Sequence, residues 1–231
     1  MKNEMLLEGP SIETNDNPKK LIFMLHGYGD NAENFIQVAE SLRKDEWKAN
    51  YYALNAPLSI PGSSSQGVYD GFQWFNIYPN GIYIADAGPA EIILIHEEIK
   101  NAVKKIEKKI NLTKNKYNLK YSDCFLMGFS QGGIMTFEFG DYFKKTLGGL
   151  AILSGRILPK NIIKNKYLLK TPLFLSHGDQ DEILDKKYYY NSCELLEKNK
   201  FIFEKHLIKG DQHTISLKAI ELLQEFIKKN I

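Results

Sequence analysis

A serine framed by glycines, a histidine near the C-terminus and a group of carboxylates between them are the residues whose types and order could do nucleophilic chemistry. Ser130 lies in Gly128-Phe129-Ser130-Gln131-Gly132, the G-x-S-x-G pattern of a strand-to-helix turn so tight that side chains at the flanking positions would strike neighbouring backbone. Such a turn lifts the hydroxyl clear of a sheet. It also aims the amide of the next residue, Gln131, at the space where an oxyanion would form. By itself the pattern equally describes a plain turn capped by serine. Here it falls between an apolar run and a helical one, and catalysis is the expectation.

A serine hydroxyl is a weak nucleophile without a base and an acid to orient that base. His26, His96, His177, His206 and His213 compete for the first role. His26 ends a strand upstream of the serine, His96 sits on a helical face, His177 closes a strand and His206 lies inside one. His213, in "IKGDQHTIS", occupies a loop after the last strand and before the last helix, where a base can reach over the sheet edge. In the chain order Ser, Asp, His the acid falls in "SHGDQDEILD", which offers Asp179, Asp181, Glu182 and Asp185. Spacing does not choose among them, although an aspartate directly after a glycine, as Asp179 is, commonly ties its loop to backbone amides.

The elements that must position these residues follow from periodicity. Six runs read as strands: Lys19 to Gly27, Asn50 to Pro57, Asp123 to Gly128, Gly148 to Gly155, Pro172 to Gly178 and Phe201 to Ile208. Most are continuously apolar, the pattern of strands covered on both faces. Between them lie helical stretches: residues 31–44, 89–110, the segment after Ser130, 186–199 and 213–230. In 89–110, Ile92, Ile95, Ile99, Ala102, Val103, Ile106 and Ile110 recur at spacings of three and four, leaving lysines and glutamates opposite. Strand and helix in alternation predict an α/β fold with a mostly parallel central sheet and helices on both faces. "EMLLEGPSIE" reads as an antiparallel edge strand. The stretch from Leu58 to Pro89 is long, aperiodic and rich in Gly, Ser and Tyr, which suggests a functional loop or a lid.

Composition bounds the rest. A chain of 231 residues suits one domain spanning 1–231, and a net charge of +2 is too balanced for a nucleic-acid stripe or a membrane-binding face. Small-molecule partners are expected. No stretch approaches the roughly 18 apolar residues of a membrane helix, and the first residues carry no secretory pattern, so the expected location is cytoplasmic. Cys124 and Cys193 read as free thiols, and the "NLT" at Asn111 as a chance glycosylation match. No Cys, His and acidic cluster has metal-ligand spacing, and no metal or cofactor is expected.

Taken together, "LHGYGDNAENF", "GFSQGG", "SHGDQDEIL" and "QHTIS" resemble the phospholipase/carboxylesterase family of α/β-hydrolases, from about Leu21 to the last helix. The resemblance implies Ser130 as nucleophile, His213 as base and Asp181, the second aspartate of "HGDQD", as acid. It implies an oxyanion hole of the Tyr28 and Gln131 amides, with His26 as a structural residue of that loop, and Trp74 of "QWFNI" beside the acyl pocket. It also implies a homodimer. Tyr28 and "DGFQWF" look closer to the bacterial carboxylesterase branch than to the acyl-protein thioesterases. The resulting expectation is a serine carboxylesterase for short- to medium-chain esters. The alternatives are a thioesterase or lysophospholipase for long chains and, from another class, a non-catalytic binding module on a hydrolase fold.

Overall fold

The computed structural model of the chain describes residues 6–60, 71–159, 163 and 165–231. In chain order the elements are β1 (Ser11–Ile12), β2 (Lys20–Leu25), α1 (Ala32–Phe35), α2 (Val38–Leu42), β3 (Ala49–Leu54), β4 (Leu58–Ser59) and β5 (Phe72–Gln73). Then come α3 (Pro89–Lys116), β6 (Cys124–Phe129), α4 (Gln131–Tyr142), β7 (Gly149–Leu153), β8 (Leu173–Gly178), α5 (Lys187–Lys198), β9 (Phe203–Ile208) and α6 (Leu217–Asn230). Among the described residues seven strands form one sheet in the order β1-β3-β2-β6-β7-β8-β9. All its pairings are parallel except that of β1 with β3.

The continuous apolar runs are explained by burial on both faces. In β2, Leu21, Phe23 and Leu25 pack on one side with Ile99 and Ile106 of α3 and Phe137 of α4. Ile22 and Met24, one residue out of phase, pack on the other with Phe35 of α1, Leu42 of α2 and Leu223 of α6. Helix α3 buries Ile95, Ile99, Ala102, Val103, Ile106 and Ile110, as its period predicts. Ile92 departs from that stripe: it lies in the first turn and stays 38 % exposed.

Three expected elements differ in extent. The helix expected over 31–44 is divided into α1 and α2 at Ile36 and Gln37. Of the edge strand expected from "EMLLEGPSIE", the described residues hold the pair Ser11 and Ile12 on β3. The last helix starts at Leu217 rather than His213, because the Ser216 hydroxyl caps it by accepting the Ala219 amide at 3.1 Å. The Leu58 to Pro89 segment contains an antiparallel ribbon in which Leu58 of β4 faces Gln73 of β5. Residues 61–70 of that segment lie outside the described residues, and so does the expectation of a lid over them.

Register aligns the strand ends that matter. Leu25 pairs with Gly128, Phe129 with Leu153, Leu153 with Ser176, and Gly178 with Ile208. The loops carrying Tyr28, Ser130, Asp181 and His213 therefore leave the same carboxyl edge of the sheet, the edge at which ligands bind in open α/β folds. Among the described residues no helix is long and apolar enough to cross a membrane.

Candidate active site

At the end of β6 the chain reverses sharply, and Ser130 takes φ 53° and ψ −116°. This is a conformation an L-residue adopts at a cost of about 1–3 kcal/mol, held only where the surroundings over-determine it. They do so here. The Ser130 amide donates to the Leu153 carbonyl at 2.9 Å, and the Ser130 carbonyl accepts the Ile134 amide of α4 at 3.1 Å. A Cβ on Gly128 would stand 2.1 Å from the Gly132 carbonyl oxygen, and one on Gly132 would stand 2.1 Å from the Leu25 carbonyl oxygen. The paired glycines are thus a backbone-contact requirement of the turn that raises the serine.

His213 reaches that serine from the loop between β9 and α6. Its Nε2 lies 2.9 Å from Ser130 Oγ and its Nδ1 lies 2.7 Å from Asp181 Oδ2. An ionised carboxylate only accepts, so the imidazole N–H is on Nδ1 and Nε2 is left to accept from the serine hydroxyl. Close packing fixes this loop: a Cβ on Gly178 would fall 2.2 Å from the Asp211 carbonyl oxygen. The Asp211 carboxylate in turn accepts the Ser216 hydroxyl.

The four candidate acids separate by their partners. Asp181 has a fully buried side chain and turns Oδ2 to His213, while Oδ1 accepts the Ile183 and Leu184 amides at 3.0 and 2.8 Å. Asp179 accepts the Gly210 amide at 2.7 Å, the loop-tying role its position suggested. Asp185 accepts the Lys187 amide at 2.7 Å, and Glu182 is exposed.

A second histidine backs the acid. His177 Nε2 lies 2.7 Å from the Leu184 carbonyl oxygen, which fixes that nitrogen as the donor, and 3.4 Å from Asp181 Oδ2. Burial holds its pKa below the usual imidazole value, so it is a neutral N–H donor near neutral pH. In the sequence His177 is only a strand-end residue, because its contact with Asp181 depends on how the loop folds back.

Tyr28 and Gln131 both border the site. Among the described residues neither amide donates a backbone hydrogen bond; Gln131 opens α4, where the first amides have no intrahelical acceptor. The Tyr28 loop is anchored by His26, which is fully buried, donates from Nδ1 to the Gly27 carbonyl at 2.7 Å and accepts the Ala56 amide on Nε2 at 3.1 Å. Burial keeps this imidazole neutral as well.

Trp74, which the resemblance puts beside the acyl pocket, has a structural partner. It is fully buried, and its indole N–H donates to the His26 carbonyl at 2.9 Å. It borders a separate cavity with Pro57, Glu98 and Lys104 and is absent from the lining of the space above Ser130. The resemblance of "QWFNI" implies a place beside the acyl pocket; the indole donor makes Trp74 a brace under the Tyr28 loop. The Gln131 side chain, which the motif writes only as x, completes that brace by accepting the Trp74 amide at 2.9 Å and donating to the Phe75 carbonyl at 2.7 Å.

Above Ser130 and His213 is a cavity of about 290 Å³. Its apolar wall includes Ile77, Ile84, Ile134 and Leu184, with Asp30 and Arg156 as charged members. The arrangement can deliver a nucleophilic oxygen and hold the proton it loses, beside two cavity-lining residues whose amides are taken up by no backbone acceptor among the described residues.

A sequence profile of the phospholipase/carboxylesterase family matches residues 8–231. The chain is 26 % identical over 227 residues to acyl-protein thioesterase 1 of Saccharomyces cerevisiae, covering 92 % of this chain and 93 % of the yeast protein. It is 25 % identical to carboxylesterase SOBER1 of Arabidopsis thaliana, covering 92 % of this chain and 91 % of that one. The crystal structure of esterase PE8 superposes with a TM-score of 0.78 at 21 % identity, covering 98 % of this chain and all of that one (100 %). The chain belongs to the phospholipase/carboxylesterase family of α/β-hydrolases.

Proposed function

We propose that this protein is a serine carboxylesterase that hydrolyses short- to medium-chain carboxylic esters through an acyl-enzyme. The observation that carries the reading is the unbroken relay from Ser130 Oγ to His213 Nε2 at 2.9 Å and from His213 Nδ1 to Asp181 at 2.7 Å. Ser130 attacks the ester carbonyl as His213 takes its proton, and Asp181 holds the imidazole tautomer and stabilises its charge. The oxyanion is received by the Tyr28 and Gln131 amides, and a single donor of this kind is worth roughly 3 kcal/mol in the transition state. His213 then protonates the leaving alcohol and activates the water that hydrolyses the acyl-enzyme. The proposed chain-length range is supported by a cavity of about 290 Å³, small for a ligand site.

The names of two relatives, a thioesterase and a carboxylesterase, favour keeping a second reading, hydrolysis of long-chain thioesters. The test is kcat/KM for 4-nitrophenyl esters from acetyl to palmitoyl, on wild type and Ser130→Ala. The proposal expects a maximum at short or medium chains and a loss of at least about 10⁴-fold in the variant. A maximum at palmitoyl would move the assignment to the long-chain reading. Full activity in Ser130→Ala would remove both.

A further inference from the structure

Arg156 is one of two arginines in the chain, with Arg43, and it lines the same cavity as Ser130 and His213. It is 8 % exposed. Among the described residues its guanidinium pairs with no carboxylate and donates no hydrogen bond; it stacks over the Tyr188 ring, whose centroid lies 4.5 Å from the guanidinium carbon. A guanidinium stays charged at every pH the protein meets. Its N–H donors have no partner among the described residues, and one aromatic face engages none of them as an acceptor would.

The support under Arg156 is rigid. After β7 the chain turns at Ser154, with φ 44°, and Gly155 packs so closely on the first turn of α4 that a Cβ there would lie 3.0 Å from the Gly133 Cα. Beyond Arg156, the Ile157 amide donates to Ser192 Oγ at 3.0 Å, and that hydroxyl donates to the Tyr188 carbonyl at 2.7 Å. One serine thus ties the arginine segment to the helix that supplies the aromatic ring. Lys187 adds a second cation, 5.1 Å from the same ring centroid.

The acid in the cavity lining and the acid behind His213 are otherwise engaged. Asp30, also in the cavity lining, accepts the Asn34 side-chain amide at 2.9 Å. Asp181 faces His213 and the Ile183 and Leu184 amides. With much of the remaining wall apolar, a fixed guanidinium fork is a polar handle well suited to an oxyanion.

We propose that Arg156 binds an anionic group of the substrate, a carboxylate or phosphate, so that the enzyme favours anionic esters over neutral ones of similar size. The inference rests on the esterase reading above and adds the substrate class to it. The chemistry at the ester carbonyl is unchanged; Arg156 positions the substrate and takes no part in proton transfer.

The test compares kcat/KM within two matched pairs. Mono-4-nitrophenyl glutarate against 4-nitrophenyl butyrate places the anion on the acyl side. Butyrylglycerol phosphate against monobutyrin places a phosphate on the alcohol side. The anionic ester is expected to be favoured in at least one pair, and Arg156→Met to lower that preference by at least about tenfold. Arg156→Lys, which keeps the charge without the planar fork, should fall between. A wild-type preference for the neutral ester in both pairs would overturn the proposal even if neither variant folds, as would a preference that Arg156→Met leaves unmoved. Failure of the esterase reading looks different: neither member of either pair is cleaved, or Ser130→Ala cleaves both as well as wild type does.

Discussion

Nε2 of His177 lies 3.4 Å from Oδ2 of Asp181, the same oxygen that His213 meets at 2.7 Å. The acid of the site is thus gripped by a loop that His177 closes through its 2.7 Å hydrogen bond to the Leu184 carbonyl. In the proposed mechanism His177 acts only through Asp181, as a positioning residue. Replacing it with Ala should cost about 1–3 kcal/mol of stability and lower kcat about tenfold with KM little changed. His177→Gln, whose side-chain amide can still donate to Leu184, should recover much of the loss. Equal damage from Gln and Ala would show that packing, and not the donor, is what matters.

The turn at Ser130 predicts a backbone-limited substitution. Gly132→Ala would place a methyl group 2.1 Å from the Leu25 carbonyl oxygen and 2.6 Å from that of His26. Neither atom can swing away as a side chain could. Urea unfolding should show a loss of about 3 kcal/mol or failure to fold. A midpoint within error of wild type would mean that strand β2 yields to the methyl.

Trp74→Phe keeps the ring but removes the donor to the His26 carbonyl. The expected outcome is a loss of about 1–3 kcal/mol from leaving a buried carbonyl unpaired, with a lower kcat because the Tyr28 loop loosens. The profile of activity against acyl-chain length should keep its shape. A shift in preferred chain length would return Trp74 to the acyl pocket.

Stability should depend on pH through two buried imidazoles. Burial holds His26 and His177 below the ordinary value of 6.5. As pH falls through about 6.5 the unfolded chain takes up protons at both positions while the folded chain resists. The contribution is therefore fully present above that pH and is lost as pH drops toward the folded values. Melting temperatures at pH 8, 7, 6 and 5 should decline below pH 6.5, less steeply in His177→Gln. A flat profile would show that neither imidazole is linked to unfolding.

Both cysteines are buried as free thiols. Burial pushes the Cys124 thiol up to about 12 and raises Cys193 as well, which leaves almost no thiolate at neutral pH. Ellman's reagent should label neither in the native protein and both in guanidinium chloride. Rapid labelling of folded protein would mean that β6 or α5 opens locally.

The sequence by itself determined the layered α/β order and the tight turn at Ser130, because each is written locally. Apolar runs of strand length, a stripe at helical spacing, and glycines two residues either side of Ser130 are short-range patterns that backbone geometry enforces wherever they occur. The choice among Asp179, Asp181, Glu182 and Asp185 was not local, and only the family resemblance pointed to Asp181. What separates them is direction. One carboxylate turns to His213, from a loop 32 residues further on, while its neighbours turn to Gly210 and Lys187. The same holds for His177, the Gln131 side chain and Arg156. Each works through a partner brought near by parallel strand register and helix packing, and the spacing of residues along the chain carries no record of such a contact. For Trp74 the resemblance implies a place near the site, and the structure adds direction: its indole N–H points to the His26 carbonyl. Tertiary structure decided these roles because hydrogen bonds depend on orientation, and orientation is set only when the sheet and its helices have closed around one another.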